Sequence, residues 1–281
     1  MKKLVVFLVL LLVISTVLTP WMAIAQGPGQ ADLLERAYST GSYELLSRFF
    51  NNWHKEVTSN EAEAADPWLK EAYKVYAAVC QPEMMERWYV RVSLTERPFL
   101  IVQGKIWEVG YLQQSDRFFR GSKISSDLSF TVVDSVVAFR PNLLIDGVTT
   151  VYLTEGYEEL VNDYFATPLP MKLDLLDITD EDIDEEDSQP IEFTVEDEER
   201  LDRGQFLRKH VNYITACYFS GWRIRPFLTI DKIIFSPSRK YAVVEYTNHG
   251  DARGGSFLMK KKHDKWVFVR ILDIVVWSHA C

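Results

Sequence analysis

The sequence predicts an α+β fold, because helical patterns and groups of strand-like segments occupy separate stretches of the chain. Three observations carry this prediction. Amphipathic helical patterns fill residues 33–80, segments rich in β-branched and aromatic residues fill 88–139, and a series of strands separated by turns fills 222–277. The apolar share of 47% is ordinary for a globular protein with a hydrophobic core.

Residues 1–25 have the pattern of a secretory signal peptide. Two lysines give a positive start, and residues 4–18 form an apolar run. In the segment Ala-Ile-Ala at 23–25, the two alanines are small residues at the two positions that a signal peptidase reads. We therefore expect cleavage before Gln26 and export to the periplasm or the extracellular space. An uncleaved anchor is the alternative, since a membrane-spanning helix needs about 20 apolar residues.

The segment after the leader is predicted to be a helical layer. Apolar residues recur at helical spacing up to Gly41, and Ser42 can cap the amphipathic helix that follows. Asp66 followed by Pro67 is typical of a third helix start, because proline at the first helical position loses no needed hydrogen bond. Pro82 is predicted to stop this helix.

Four strands are predicted next, and we expect them to pair in antiparallel fashion. They cover residues 88–94, 99–103, 105–112 and 128–139. A short strand at 150–153 then leads to a helix that Thr154 can cap and that runs to about Ala166. Residues 26–167 are therefore predicted to form an N-terminal α+β domain.

An acidic segment follows this predicted domain. Residues 174–202 hold fifteen carboxylates and one arginine, so the segment has a net charge of −14. The net charge of the whole chain is −9, so the remaining residues together have a net charge of +5. Dense like charge resists compaction, which predicts a linker at 168–202. This concentration of negative charge argues against nucleic acid as a partner.

Residues 203–281 are predicted to form a second, C-terminal α+β unit. A helix is expected from about Gly204 to Phe219, followed by strands in an antiparallel meander. These strands cover 222–228, 230–235, 240–247, 256–262 and 265–277. The last strand is apolar on both faces, so we expect both of its faces to be covered.

This C-terminal pattern resembles a known group of folds. A helix that leads into a curved meander, with a last strand bounded by Trp266 and Trp277, resembles the cystatin-like and nuclear-transport-factor-2-like cone-shaped α+β folds. Four segments are also similar to a family of uncharacterised exported bacterial proteins, namely YELLSRFFNNWHKE (43–56), FLIVQGKI (99–106), YLTEGYEELVNDY (152–164) and YAVVEYTNHGDARGGSFLMKKKHDKWVFV (241–269). Neither resemblance implies an activity, because the cone-shaped folds host enzymes, binding modules and scaffolds alike.

The leading small-molecule site in the sequence is a glycine-flanked hairpin loop that holds His249, Asp251 and Arg253. Convergent polar side chains at one end of a sheet can bind an anion or act as acid and base. Exposed turns also collect such residues for conformational reasons, so a plain turn is the alternative. We assign no catalytic residue, cofactor or metal ligand, since the sequence has no motif typical of one.

Other reactive residue types have structural explanations. Alternate carboxylates at 180–184 are typical of the start of a calcium loop, but the later positions lack the glycine and glutamate of an EF-hand. His210 and Cys217 are seven apart on the predicted helix, about 10 Å from each other and beyond hydrogen-bond reach. The three cysteines allow one disulfide with three possible pairings, although we expect Cys80 and Cys217 to be buried apolar groups and Cys281 to be terminal.

Aromatic and basic residues are also predicted to be structural. Most tryptophans lie in strong apolar patterns and are predicted to be core residues, among them Trp53, Trp107 and Trp266. Lysines 260–262 precede a hairpin turn, where charge protects strand edges, and a membrane or polyanion patch is the alternative.

These observations predict an exported non-catalytic binding or scaffold protein of the bacterial cell envelope, with an unknown protein or a small molecule as its ligand. No second long apolar run follows the leader, so no stable membrane span is expected after signal cleavage. The alternative is an envelope hydrolase or isomerase with a polar site in the C-terminal cone, which a deep pocket with buried titratable groups would favour. Calcium-responsive binding through 174–202 is a third option.

Overall fold

The structure is a computed structural model. It describes residues 28–81, 83–84, 97–113, 130–135, 138–166, 194–212, 214–217, 221–226, 228–248 and 253–276. The predicted signal peptide, the strand at 88–94 and the acidic run at 180–184 lie outside these residues. The described ranges contain both helices and sheets, which confirms the α+β class. Within them, no helix has the length and apolar character needed to cross a bilayer.

The helices are α1 Pro28–Ser39, α2 Tyr43–Glu56, α3 Pro67–Val79, α4 Glu155–Phe165 and α5 Val195–Arg208, with a short 3₁₀ helix at Glu61–Glu63. The predicted starts of α2, α3 and α4 are confirmed. The Ser42 hydroxyl accepts a hydrogen bond from the Leu45 amide at the start of α2. The Asp66 carboxylate accepts one from the Trp68 amide at the start of α3. Both side chains satisfy amides that a helix N-terminus leaves without partners.

The helix α5 starts and ends earlier than the sequence predicts. The Thr194 hydroxyl accepts a hydrogen bond from the Asp197 amide, and the Asp197 carboxylate accepts one from the Thr194 amide. This capping box, with further carboxylates in the first turn, favours a helix start because negative charge stabilises the positive end of a helix. The predicted helix 204–219 is therefore wrong, and residues 194–202 of the predicted linker 168–202 belong to the cap and body of α5.

The strands are β1 Phe99–Gln103, β2 Glu108–Leu112, β3 Phe130–Asp134, β4 Thr149–Leu153, β5 Val211–Asn212, β6 Ile214–Cys217, β7 Gly221–Ile224, β8 Thr229–Phe235, β9 Tyr241–Asn248, β10 Arg253–Lys262 and β11 Lys265–Val276. They form a six-stranded sheet in the order β11-β10-β9-β8-β2-β3, a three-stranded sheet in the order β4-β1-β5, and the pair β6-β7. The antiparallel meander is confirmed for β8 to β11, whereas β7 pairs with β6 outside it.

Among the described residues of the earlier strands, the predicted antiparallel pairing is found between β2 and β3. β1 pairs in parallel with β4 and β5, and β2 pairs in parallel with β8. Alternation of apolar residues sets which side of a strand is buried, but it does not select the strand's partner or direction. The sequence pattern therefore does not predict parallel pairing between strands that are far apart in the chain.

The six-stranded sheet includes strands from both sides of the predicted linker 168–202. Val109 of β2 lies opposite Ile233 of β8, and both side chains are fully buried. One hydrophobic cluster contains both residues together with Phe49 of α2 and Phe257 of β10. The two predicted units thus share a sheet and a core.

The burial of two predicted core elements differs from expectation. Trp53 and Trp266 are buried as predicted, but Trp107 is 58% exposed. β11 is the last strand of its sheet, and Ile271 and Ile274 in its second half are 45% and 52% exposed. The prediction that both faces of β11 are covered is therefore wrong for its second half. Helix α3 packs on the sheet at the start of β11, where Trp266 lies.

Candidate functional site

A cavity of about 920 Å³ lies where β1 and β4 end. The two strands are parallel, with Gln103 opposite Leu153, so their carboxyl ends meet at one edge of the sheet. Gly104 follows β1, Thr154 follows β4, and both residues line the cavity. Ligands often bind at the carboxyl ends of parallel strands, where loops leave the sheet and helix N-termini point toward the opening.

The close approach of two chain segments at this edge requires glycine at position 104. The Gly104 amide donates a hydrogen bond to the Leu153 carbonyl oxygen at 3.1 Å, and a Cβ on Gly104 would lie 2.4 Å from that same oxygen. The Gly104 carbonyl in turn accepts a hydrogen bond from the Phe139 amide at 2.8 Å. This bond holds Arg140, one residue further along, at the cavity.

One side of helix α4 forms an acidic wall of the cavity. Its lining residues recur at helical spacing and are Glu155, Glu158, Glu159, Asn162 and Asp163. The opposite side of α4 is buried in the core through Tyr157, Val161 and Phe165. The amphipathic pattern that predicts this helix therefore also places a row of carboxylates along the cavity.

Positive side chains line the same cavity from other parts of the fold, namely Lys105, Arg140, Arg200 and Arg223. The Arg200 guanidinium is already engaged, since it donates to the Ala166 carbonyl oxygen and to the Glu196 carboxylate, each at 2.8 Å. Arg140 differs, because its Nε is buried and has no hydrogen-bond partner among the residues that the structure describes. A buried nitrogen of this kind is costly to leave unpaired.

The N-terminus of α4 also lines the cavity, through Thr154 and Glu155. Thr154 is the N-cap residue, but its side chain makes no capping hydrogen bond. The first amides of a helix carry a partial positive charge and bind anions when they lack a cap. Glu155 and Glu158 already place two carboxylates in this first turn. Arg140 is therefore the group suited to an anion, whereas Glu159 and Asp163 further along α4 are suited to a cation.

A separate polar contact joins α2 to the segment after α5. The Ser47 hydroxyl and His210 Nε2 are 2.6 Å apart. The His210 ring stacks on Tyr43 at a centroid distance of 5.4 Å and lies 5.5 Å from the Phe99 ring. Burial lowers the pKa of His210, which favours the neutral imidazole that can accept the Ser47 proton.

The hairpin predicted as a ligand site is described only in part. His249 and Asp251 lie outside the described residues, and Arg253 begins β10 opposite Asn248. The described ranges also contain no group of three or more His, Cys, Asp or Glu side chains arranged to hold a metal ion.

The structure does not place His210 and Cys217 on one helix. α5 ends at Arg208, and Cys217 belongs to β6. The predicted burial of Cys80 is confirmed, and burial raises the pKa of its thiol well above the ordinary value. A thiol held protonated in this way acts as a small apolar group.

Sequence reasoning missed this cavity, because no motif marks Arg140. The acidic row on α4 was visible as carboxylates at i, i+4 and i+8 in Glu155, Glu159 and Asp163, but its opposing cations come from distant segments. Comparisons with protein-family models, with curated proteins and with solved structures find no match to this chain. The cavity must therefore be interpreted from its own chemistry.

Proposed function

We propose that this chain is an exported, non-catalytic binding protein of the cell envelope whose cavity holds a zwitterionic ligand of the size of a short peptide. The observation that carries the proposal is that one cavity holds both charges, with Arg140, whose buried Nε has no partner among the described residues, and a row of carboxylates along α4. Export is supported by the signal-like pattern of residues 1–25. The likeness to cystatin-like and nuclear-transport-factor-2-like folds is part of the proposal, and the meander β8 to β11 supports it.

The charges in the cavity define the spacing of the ligand's own charges. A carboxylate of the ligand would bind Arg140, because a guanidinium gains a charge-assisted hydrogen bond from such a group. An amine would pair with Glu159 or Asp163, which lie about 6 and 12 Å from Glu155 along the helix axis. An extended peptide spans roughly 3.5 Å per residue, so its two ends match these spacings at a length of about two to four residues.

The variant Arg140→Gln is expected to weaken binding of a free tripeptide by roughly 10- to 100-fold, since it removes a charge-assisted hydrogen bond. Isothermal titration calorimetry with a set of free tripeptides measures this change. The same peptides with an amidated C-terminus lack the carboxylate, so they should bind the unsubstituted protein about as weakly as free peptides bind Arg140→Gln. The control Arg48→Gln removes an exposed arginine from α2 and should leave the affinity unchanged. Equal affinity for free and amidated peptides would contradict the proposal.

The contact between Ser47 and His210 favours a second candidate, hydrolysis of an ester or amide. In such a reaction the Ser47 Oγ attacks the acyl carbon, while His210 Nε2 accepts the hydroxyl proton and passes it to the leaving group. Water then hydrolyses the acyl-enzyme. A fluorophosphonate probe tests this candidate, because it labels an activated serine and should fail to label Ser47→Ala. Absence of labelling in the unsubstituted protein would exclude the hydrolase.

A further inference from the structure

A concentration of positive charge lies at one end of the six-stranded sheet. It is formed by two hairpin turns and helix α3, and we call it the basic surface, defined by Lys70, Arg239, Lys240, Lys260, Lys262 and Lys265. The two turns are adjacent, since the Lys261 amide donates a hydrogen bond to the Lys240 carbonyl oxygen at 2.8 Å. Lys262 lies directly opposite Lys265 across the β10–β11 turn. Lys70 joins this group through a cavity of about 780 Å³ that it shares with Arg239.

The nearby carboxylates have partners outside the basic surface. Glu61, which lines the cavity shared by Lys70 and Arg239, accepts a hydrogen bond from the Asn142 amide. Glu71 is paired with Lys74 at 3.0 Å and with Lys261 at 2.9 Å, and Lys261 is also paired with Asp264 at 2.9 Å. These two lysines and two carboxylates balance one another. In the part of the chain that the structure describes, no ion pair forms on any of the six residues of the basic surface.

Aromatic rings position two of these cations without removing their charge. The Arg239 guanidinium lies 5.4 Å from the centroid of the Trp68 ring, and the Lys260 ammonium lies 5.6 Å from that of Tyr241. A cation–π contact holds the cation against a neutral partner, so its charge remains available to an external anion.

Protection of a strand edge explains only part of this surface. Lysines on an edge strand discourage pairing with another chain, which accounts for Lys265 on β11. Arg239 and Lys240, however, belong to the turn between the inner strands β8 and β9. Like charges directly opposite in a sheet are destabilising, as for Lys262 and Lys265. A cluster that keeps its charges together despite this repulsion fits an anionic partner.

We infer that the basic surface docks this protein onto an anionic lipid membrane. The export proposed above brings the protein out beside a bilayer, whose anionic headgroups complement these six cations. A basic cluster gains electrostatic binding energy from anionic headgroups without inserting into the bilayer.

Vesicle co-sedimentation of the exported protein tests this inference. We expect binding to vesicles in which about one third of the lipid is phosphatidylglycerol, little binding to pure phosphatidylcholine, and loss of binding in high salt. The triple variant Lys240→Gln, Lys262→Gln, Lys265→Gln should lower the partition coefficient by roughly 100-fold, since each lysine near the surface contributes about a factor of five. All three side chains are exposed, so the variant should melt at an unchanged temperature.

The matched control removes the same charge elsewhere, through Arg48→Gln, Lys55→Gln and Lys209→Gln, which are also exposed. It should retain most of the binding. Equal loss in both triple variants would overturn the inference, because only net charge would then matter. Binding to soluble polyphosphate without binding to anionic vesicles would also overturn it and would assign the basic surface to an acidic polymer.

Discussion

Replacing Trp53 with alanine is expected to lower the free energy of unfolding by about 4 kcal/mol, in the middle of the range for a buried aromatic residue. Trp53 is fully buried at the centre of the core, where its ring stacks on Tyr157 with centroids 4.4 Å apart. Its indole nitrogen also donates a hydrogen bond to the Tyr152 carbonyl oxygen at 3.0 Å. Alanine would leave a cavity and a carbonyl oxygen without its donor.

Urea denaturation followed by far-ultraviolet circular dichroism measures this loss. Trp107→Ala is the matched control, because it removes the same side chain from a position that is 58% exposed. We expect this control to change the free energy of unfolding by less than about 1 kcal/mol. If the two alanine variants unfolded at the same urea concentration, the assignment of Trp53 to the core and Trp107 to the surface would be wrong.

Replacing Glu71 with alanine should lower the free energy of unfolding by about 3 kcal/mol. This buried carboxylate joins α3 to the β10–β11 hairpin, since it accepts hydrogen bonds from the ammonium groups of Lys74 and Lys261. It also accepts one from the Trp266 indole nitrogen at 3.0 Å. Removing the carboxylate leaves the buried Trp266 indole nitrogen without an acceptor and leaves Lys261 with Asp264 as its remaining partner, which costs more than the pair contributes when intact.

The contribution of Glu71 also depends on pH. Burial raises its pKa, but hydrogen bonds from Lys261, Lys74 and Trp266 outweigh burial, so the pKa is lower than its ordinary value. The unfolded chain therefore takes up this proton more readily than the folded one. The stabilisation is complete above the unfolded pKa and is lost as the pH falls through the folded pKa.

Urea denaturation at neutral pH and at a pH below the ordinary pKa of a glutamate side chain tests both statements about Glu71. The difference between the unsubstituted protein and Glu71→Ala should be largest at neutral pH and should shrink in acid. Glu196→Ala serves as the control, because Glu196 pairs with Arg200 on the surface and its side chain is 72% exposed. We expect this control to cost no more than about 0.5 kcal/mol. A Glu71→Ala variant as stable as this control would show that the contacts of Glu71 carry little energy.

Features that depend on neighbours in sequence could be predicted without the fold. The caps at Ser42 and Asp66 and the tight turn at His263–Asp264 are of this kind, and the structure confirms them. Each involves residues only a few positions apart, so propensity and hydrogen-bond geometry determine them locally. The helix α5 shows the limit of this reasoning, because dense negative charge was interpreted as a linker although Thr194 and Asp197 form a capping box.

The candidate site depends on contacts that no local pattern contains. Arg140 reaches the cavity because β1 pairs in parallel with β4, which lies about 50 residues later in the chain, and because Gly104 permits the close approach of the two segments. The same holds for Trp107, which lies in an apolar sequence pattern typical of core residues but is 58% exposed.

The sequence by itself determined the α+β class, most helix starts and the meander β8 to β11. Only the tertiary structure decided the parallel pairing of β1 with β4 and of β2 with β8, the charges that meet around Arg140, and the clustering of the basic surface. The physical reason is that periodicity specifies which side of an element is apolar, whereas the choice of partner depends on how whole surfaces fit after the chain has collapsed.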